Sequence, residues 1–194
     1  MDRPRLFLAI ELDDDVKAAA ARAADALRRR LARSHRDLVA RWVDAANLHI
    51  TLWFIGHVEE DRAQIIRQAL GERFAIAPFD VHIGGFGAFP PSGAPRVFWL
   101  AVQEGQESVR AVYDEVSRRL QALGYQPERR PYSAHLTIAR VKDAGRGGNA
   151  GLRRVLAETP ADAGVSGVAA VTLFRSHLSP KGATYEPLLR VPLQ

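Results

Sequence analysis

Cysteine is absent from the 194-residue chain. That excludes a disulfide framework, a thiolate metal site and a cysteine nucleophile, and it fits a reducing compartment, so a cytoplasmic location is expected. Long apolar runs are missing as well. The run from Leu6 to Leu12 is broken at once by Asp13, Asp14 and Asp15, too short for a membrane span or a signal-peptide core, so no membrane partner is expected. Lysine is scarce, occurring only at Lys17, Lys142 and Lys181, and arginine supplies the rest of the 27 basic residues. A net charge of +5 built this way, beside abundant alanine, reflects genome composition as readily as a polyanionic partner.

Against these absences stand two matching tetrads, His49-Ile50-Thr51-Leu52 and His135-Leu136-Thr137-Ile138. Side chains on a strand alternate faces, so His49 and Thr51 point one way while Leu48, Ile50 and Leu52 point to the core. The second copy repeats this, with Ala134, Leu136 and Ile138 inward and His135 and Thr137 outward. Two such strands facing each other across a cleft supply two proton-transfer groups and two hydroxyl donors around one small anion, which suits a phosphodiester.

The pattern along the chain predicts a buried strand over Arg5 to Glu11, then a helix capped in the Asp13 to Asp15 run and ending near Arg33. A short strand over Arg41 to Val43 and the first histidine strand, closed by Gly56, come next. A second helix covers about Glu60 to Phe74. From Phe79 the reading is strand, a Gly/Pro-rich loop over Gly84 to Pro95, the apolar run Arg96 to Val102, and a third helix from about Glu107 to Leu123. The second histidine strand ends near Arg140 and Val141. A glycine-rich loop over Asp143 to Gly151, a short helix over Leu152 to Glu158, and strands over Val165 to Leu178 and Tyr185 to Leu193 complete the chain. Each half has a helix before a His-x-Thr strand. The expectation is one two-lobed domain over residues 1 to 194, an α+β duplicated fold with a pseudo-two-fold axis, two antiparallel sheets facing a central cleft and helices outside.

Hydrolysis of a strained cyclic phosphodiester needs a base for water, an acid for the leaving oxygen, and donors for the nonbridging oxygens. Histidine, with a reference pKa of about 6.5, takes either protonation state near neutrality, so a pair serves as acid and base without a metal. Thr51 and Thr137 would hydrogen-bond the nonbridging oxygens. A zinc site is disfavoured, because neither motif carries a carboxylate or third histidine at ligand spacing; no metal or cofactor is expected. His35, His57, His82 and His177 lack a threonine partner and are assigned structural or surface roles.

The chain resembles the two-histidine phosphoesterase superfamily, and specifically its bacterial and archaeal RNA 2′,3′-cyclic phosphodiesterase branch, also called 2′-5′ RNA ligase. Carrying the resemblance are Arg5-Leu6-Phe7-Leu8-Ala9-Ile10-Glu11-Leu12, Arg41-Trp42-Val43, Asn47 to Leu52 with Phe54-Ile55-Gly56, and Gly85-Phe86-Gly87-Ala88-Phe89-Pro90. Arg130-Pro131-Tyr132, His135 to Arg140, Ser176 to Pro180 and Tyr185-Glu186-Pro187-Leu188 extend it. Two departures are Ala134 where the family often has proline and Tyr132 where phenylalanine is usual. The resemblance implies that His49 is the proton donor to the departing 3′ oxygen, that His135 is the proton acceptor on water, and that Arg140 binds phosphate. The residue pattern also admits Arg140 as an exposed strand-end cation; it shares the face parity of neither histidine, so binding phosphate would need the strand to twist or end there. Phe7 and Tyr132 suit base stacking and suit the core equally well. The implied partner is an RNA end bearing a 2′,3′-cyclic phosphate, tRNA fragments among them, or a small cyclic nucleotide, handled by a monomer. Reversible ATP-independent 2′-5′ ligation would use the same histidines, and the alternative is a non-catalytic holder of RNA ends.

Overall fold

The computed structural model describes residues 3–145, 149–179 and 182–194. In chain order the elements are β1 (Arg5–Glu11), α1 (Asp14–Ser34), β2 (Val39–Trp42), a 3-10 turn (Ala45–Asn47), β3 (His49–His57), α2 (Glu60–Leu70), β4 (Phe79–Phe89) and β5 (Val97–Glu104). Then follow α3 (Gln106–Ala122), β6 (His135–Asp143), α4 (Asn149–Glu158), β7 (Asp162–Val168), β8 (Ala170–Ser179) and β9 (Gly182–Pro192).

All strand pairings are antiparallel, and the order β7-β4-β5-β6-β3-β1-β8-β9 is balanced about the β6–β3 contact, with β2 added along β6. On either side lies one histidine strand, then a strand that pairs with it in the same register, then two further strands. The two antiparallel sheets expected from the sequence are thus the two halves of one nine-stranded sheet, joined through the single register pair Ile50↔Leu136. Each residue of that pair directly follows a motif histidine, so the pseudo-two-fold axis passes between the motifs.

The core lies on the helix side of the sheet. Leu6, Leu8 and Ile10 of β1, Ile50 and Leu52 of β3, and Leu136 and Ile138 of β6 are buried there. Helix α1 joins the same core through Val16, Ala20, Ala24, Leu27 and Leu31, an apolar stripe at helical spacing. The stripe is narrow because alanine fills it, which lets the helix lie close to the strands. The expected cap is different in kind: Asp13 precedes the helix, but its carboxylate accepts from the Ser166 hydroxyl (3.2 Å) and the Gly167 amide (2.9 Å), tying α1 to β7 instead of closing its first turn.

Three boundaries depart from the sequence pattern for physical reasons. Helix α2 stops at Leu70 instead of Phe74, because Arg119 of α3 donates to the carbonyls of Glu72 (2.5 Å) and Arg73 (2.9 Å) and holds that segment open. β4 runs to Phe89 through the glycines read as loop. Gly85 takes φ +67° at a register shift, and a Cβ on Gly87 would sit 2.2 Å from the Trp99 ring, so these glycines serve bulging and close approach inside a strand. The stretch Val165 to Leu178 divides at Ala169 into β7 and β8, which lie in opposite halves of the order. The Asp143 to Gly151 loop and the turn at Pro180 and Lys181 fall partly outside the described residues.

Candidate active site

The two histidine strands carry the same irregularity at the same place. Against β1, Thr51 pairs with Ala9 and Trp53 with Leu8, which leaves Leu52 as an extra residue. Against β5, Thr137 pairs with Trp99 and Ala139 with Phe98, which leaves Ile138 extra. A one-residue bulge inverts the alternation of faces beyond it. The fifth residue after each histidine therefore returns to the cleft face: Phe54 in one half and Arg140 in the other. This resolves the parity objection to Arg140, which lines a cavity of about 100 Å³ together with His49, Thr51, Thr137, Arg5, Phe7, Asn47, Ser176 and Tyr185.

Each motif histidine is oriented by the chain just before it. His49 Nδ1 donates to the Asn47 carbonyl at 2.8 Å, and His135 Nδ1 donates to the Ser133 carbonyl at 2.8 Å. A carbonyl can only accept, so both neutral rings carry their proton on Nδ1 and leave Nε2 as the reactive atom. The Thr51 hydroxyl donates to His49 Nε2 at 3.0 Å. Burial lowers the pKa of His49 to about 4, and the positive charges of Arg140 and His135 push the same way. Burial, then Arg140, also lowers the pKa of His135. Arg140 is thus electrostatically close to both rings.

The walls differ between the halves. Beside His49 lie Phe7 (ring centroids 5.0 Å apart) and Tyr185, edge-on at 5.2 Å. Phe7 is only 4 % exposed, backed by Phe174 at 5.2 Å, so it supports the imidazole and offers little free face. Tyr132 is not among the residues around the His49 cavity. Its ring stacks on Tyr113 at 4.0 Å, and its hydroxyl donates to the Thr51 carbonyl at 3.0 Å, bracing one histidine strand from the segment that leads into the other. Beside His135 stand Phe89, edge-on at 5.0 Å, and Trp99 at 6.3 Å.

Arg5, Asn47, Phe89, Trp99 and Tyr185 were not singled out as site residues from the sequence. Asn47 and Ser133 do carry a signal, since each stands two residues before a motif histidine; the others depend on strand pairing. The remaining histidines have local roles: His82 with Asp162 and His177 with Glu186, each at 2.9 Å, His57 on the Arg3 carbonyl, and buried His35 against Ser34. Among the described residues no cluster of three or more His, Asp or Glu is placed to hold a metal ion.

A duplicated, curled antiparallel sheet that gathers His49, Thr51, Thr137 and Arg140 around one cavity, with His135 not among the lining residues but close enough for its charge to act on His49, is the arrangement of a two-histidine phosphoesterase. The chain belongs to the 2′-5′ RNA ligase superfamily, whose family model matches residues 13–176. A protein of Aeropyrum pernix named RNA 2′,3′-cyclic phosphodiesterase is 34% identical over 161 residues, covering 81% of this chain and 89% of its own length. One of the same name from Archaeoglobus fulgidus is 33% identical over 185 residues, with 95% and 97% covered. The crystal structure of TT0787 from Thermus thermophilus matches with TM-score 0.74, 28% identity and 97% of each chain. The apo form of E. coli LigT shares the fold, with TM-score 0.75 over 100% of this chain and 99% of its own at 23% identity. No helix among the described residues is long and apolar enough to cross a membrane.

Proposed function

We propose that this protein is a metal-independent RNA 2′,3′-cyclic phosphodiesterase that opens the cyclic phosphate to a 2′-phosphomonoester. The observation that carries the reading is the pair of Nδ1-anchored histidines, each with Nε2 left as the proton-transfer atom, that of His49 held by the Thr51 hydroxyl, and with Thr51, Thr137 and Arg140 lining one cavity with His49. His135 Nε2 takes a proton from water as the water oxygen bonds to phosphorus. The bond from phosphorus to the 3′ oxygen breaks, and His49 Nε2 delivers its proton to that oxygen. Thr51, Thr137 and Arg140 hold the nonbridging oxygens and the charge that builds on them.

The two walls support this direction of attack. The cavity that Arg5, Ser176 and Tyr185 help to line lies on the His49 side, where the nucleoside that carries both ring oxygens would enter, whereas Trp99 and Phe89 crowd His135, where water suffices. The same crowding supports hydrolysis over 2′-5′ ligation, which needs a second nucleoside on the His135 side. In this reading the working unit is a monomer, acting in the cytoplasm on RNA ends such as tRNA fragments or on small cyclic nucleotides. Phe7 backs the acid and Tyr132 braces its strand.

The test is incubation of the purified protein with an oligonucleotide ending in 2′,3′-cyclic phosphate, followed by phosphorus NMR. A 2′-phosphate product is expected. A 3′-phosphate would exchange the roles of His49 and His135, and tight binding without turnover would make the protein a holder of RNA ends.

A further inference from the structure

Arg5 enters the His49 cavity from the start of β1, and no part of the chemistry above uses it. Its guanidinium lies over the Phe54 ring, 4.4 Å from the centroid, and Nη1 donates to the Ser176 hydroxyl at 3.4 Å. Among the described residues no carboxylate forms an ion pair with it. Phe54 is 47 % exposed, and its ring is the platform for this cation. The duplication gives the arrangement meaning. Phe54 occupies in its half the position that Arg140 occupies in the other, so the first half has no arginine of its own there, and Arg5 brings one in above the ring.

Its distance from the reacting centre identifies the ligand. Thr51 pairs with Ala9 and Phe54 pairs with Phe7, so the platform lies two strand residues, roughly 7 Å, beyond the threonine that faces the scissile phosphate. That is the span of one ribose from phosphorus to phosphorus along an RNA chain. Between them the cavity wall is formed by Tyr185 and the edge of Phe7, against which the terminal nucleoside would lie.

The geometry points to Arg5, on its Phe54 platform with Ser176, as a subsite for the phosphodiester on the 5′ side of the terminal nucleotide. The subsite distinguishes an RNA end, which has that phosphodiester, from a nucleoside 2′,3′-cyclic phosphate, which does not. The assignment rests on the proposed phosphodiesterase reaction and adds to it the class of substrate: a polynucleotide terminus.

The experiment compares kcat/KM for a short oligonucleotide ending in 2′,3′-cyclic phosphate with that for the cyclic mononucleotide, in the wild type and in Arg5→Gln. Loss of one charge-assisted contact to phosphate predicts a fall of about 10- to 100-fold in the oligonucleotide-to-mononucleotide ratio, carried by KM. The salt dependence of kcat/KM for the oligonucleotide should also flatten by about one phosphate contact. Phe54→Leu, which removes the platform and keeps the arginine, should move the ratio the same way by less. An equal loss on both substrates would place Arg5 at the scissile phosphate and overturn the assignment while leaving the phosphodiesterase reading intact. An unchanged ratio and salt slope would overturn it too. Failure of the wild type to turn over either substrate would instead remove the reaction on which the subsite depends.

Discussion

Ala9 and Trp99 hold equivalent places in the two halves of the sheet, one paired with Thr51 and the other with Thr137. The smallest chiral side chain faces the first motif, and the largest side chain faces the second. A fold built by duplication has thereby lost the symmetry of its contents: Ala9 is covered by Phe7 and Phe174, while Trp99 stands partly exposed beside His135.

Trp99→Ala should open the His135 side to larger nucleophiles. With a nucleoside 5′-hydroxyl added as acceptor, the ratio of transfer to hydrolysis should rise several-fold over wild type, because the pocket no longer selects water by size. Chromatographic separation of the hydrolysis and 2′-5′-linked products reads the ratio directly. An unchanged ratio would show that the tryptophan does not set nucleophile size.

Replacing His49 or His135 with alanine should each lower turnover by roughly 10²- to 10⁴-fold, the usual contribution of a positioned proton-transfer group. The double variant should lose less than the product, since the two act in one step. Thr51→Ala and Thr137→Ala should cost about 10- to 10³-fold, as lost charge stabilisation without lost proton transfer. EDTA should leave all rates unchanged. Wild-type turnover in either histidine variant would end the assignment.

The pH profile should be displaced toward acid in the free enzyme. His49 must be protonated to act as acid, yet burial brings its pKa to about 4, and His135 is lowered as well. Both limbs of kcat/KM then fall below the ordinary histidine value of about 6.5, and so does the maximum. A bound phosphodiester anion favours imidazolium, so the kcat profile should lie higher, toward the range of about pH 6 to 8 expected for an unperturbed pair. The same lowering acts on stability. Between about pH 6.5 and 4 the unfolded chain binds protons that folded His49 refuses, so thermal stability should drop as pH falls through that window and drop less in His49→Gln. A kcat/KM maximum above pH 7 would contradict the lowered values.

Tyr132→Phe deletes the hydroxyl that reaches the Thr51 carbonyl and keeps the stack on Tyr113. Stability should fall by about 0.5 to 1.5 kcal/mol, and kcat should fall more than KM rises, because the lost bond positions a strand and touches no substrate. Thermal melts with matched kinetics check both.

The paired motifs were legible because alternation of faces is a local property: Ile50, Leu136 and their neighbours had to be inward for the histidines to be outward. Arg140 was harder. Its face depends on the bulge at Ile138, which arises from pairing with β5, and strand pairing has no periodic signature in one strand alone. The glycines of β4 misled for the opposite reason, since a residue type that usually marks a loop here makes way for Trp99 from a distant strand. Arg5 was visible only as part of an apolar strand, and its use became clear when Phe54 was found opposite Phe7.

The half that holds His49 is not continuous in the chain: β1 and β3 come from the start, β8 and β9 from the end, and the whole second half is made between them. On the ribosome, then, Phe7 waits for Phe174 and Tyr185, and the wall behind His49 closes only when the final hairpin has emerged. Because domains fold as their last contacting segment becomes available, the nascent chain spends nearly all of its synthesis without a complete site, and the first motif, made early, gains its full surroundings last.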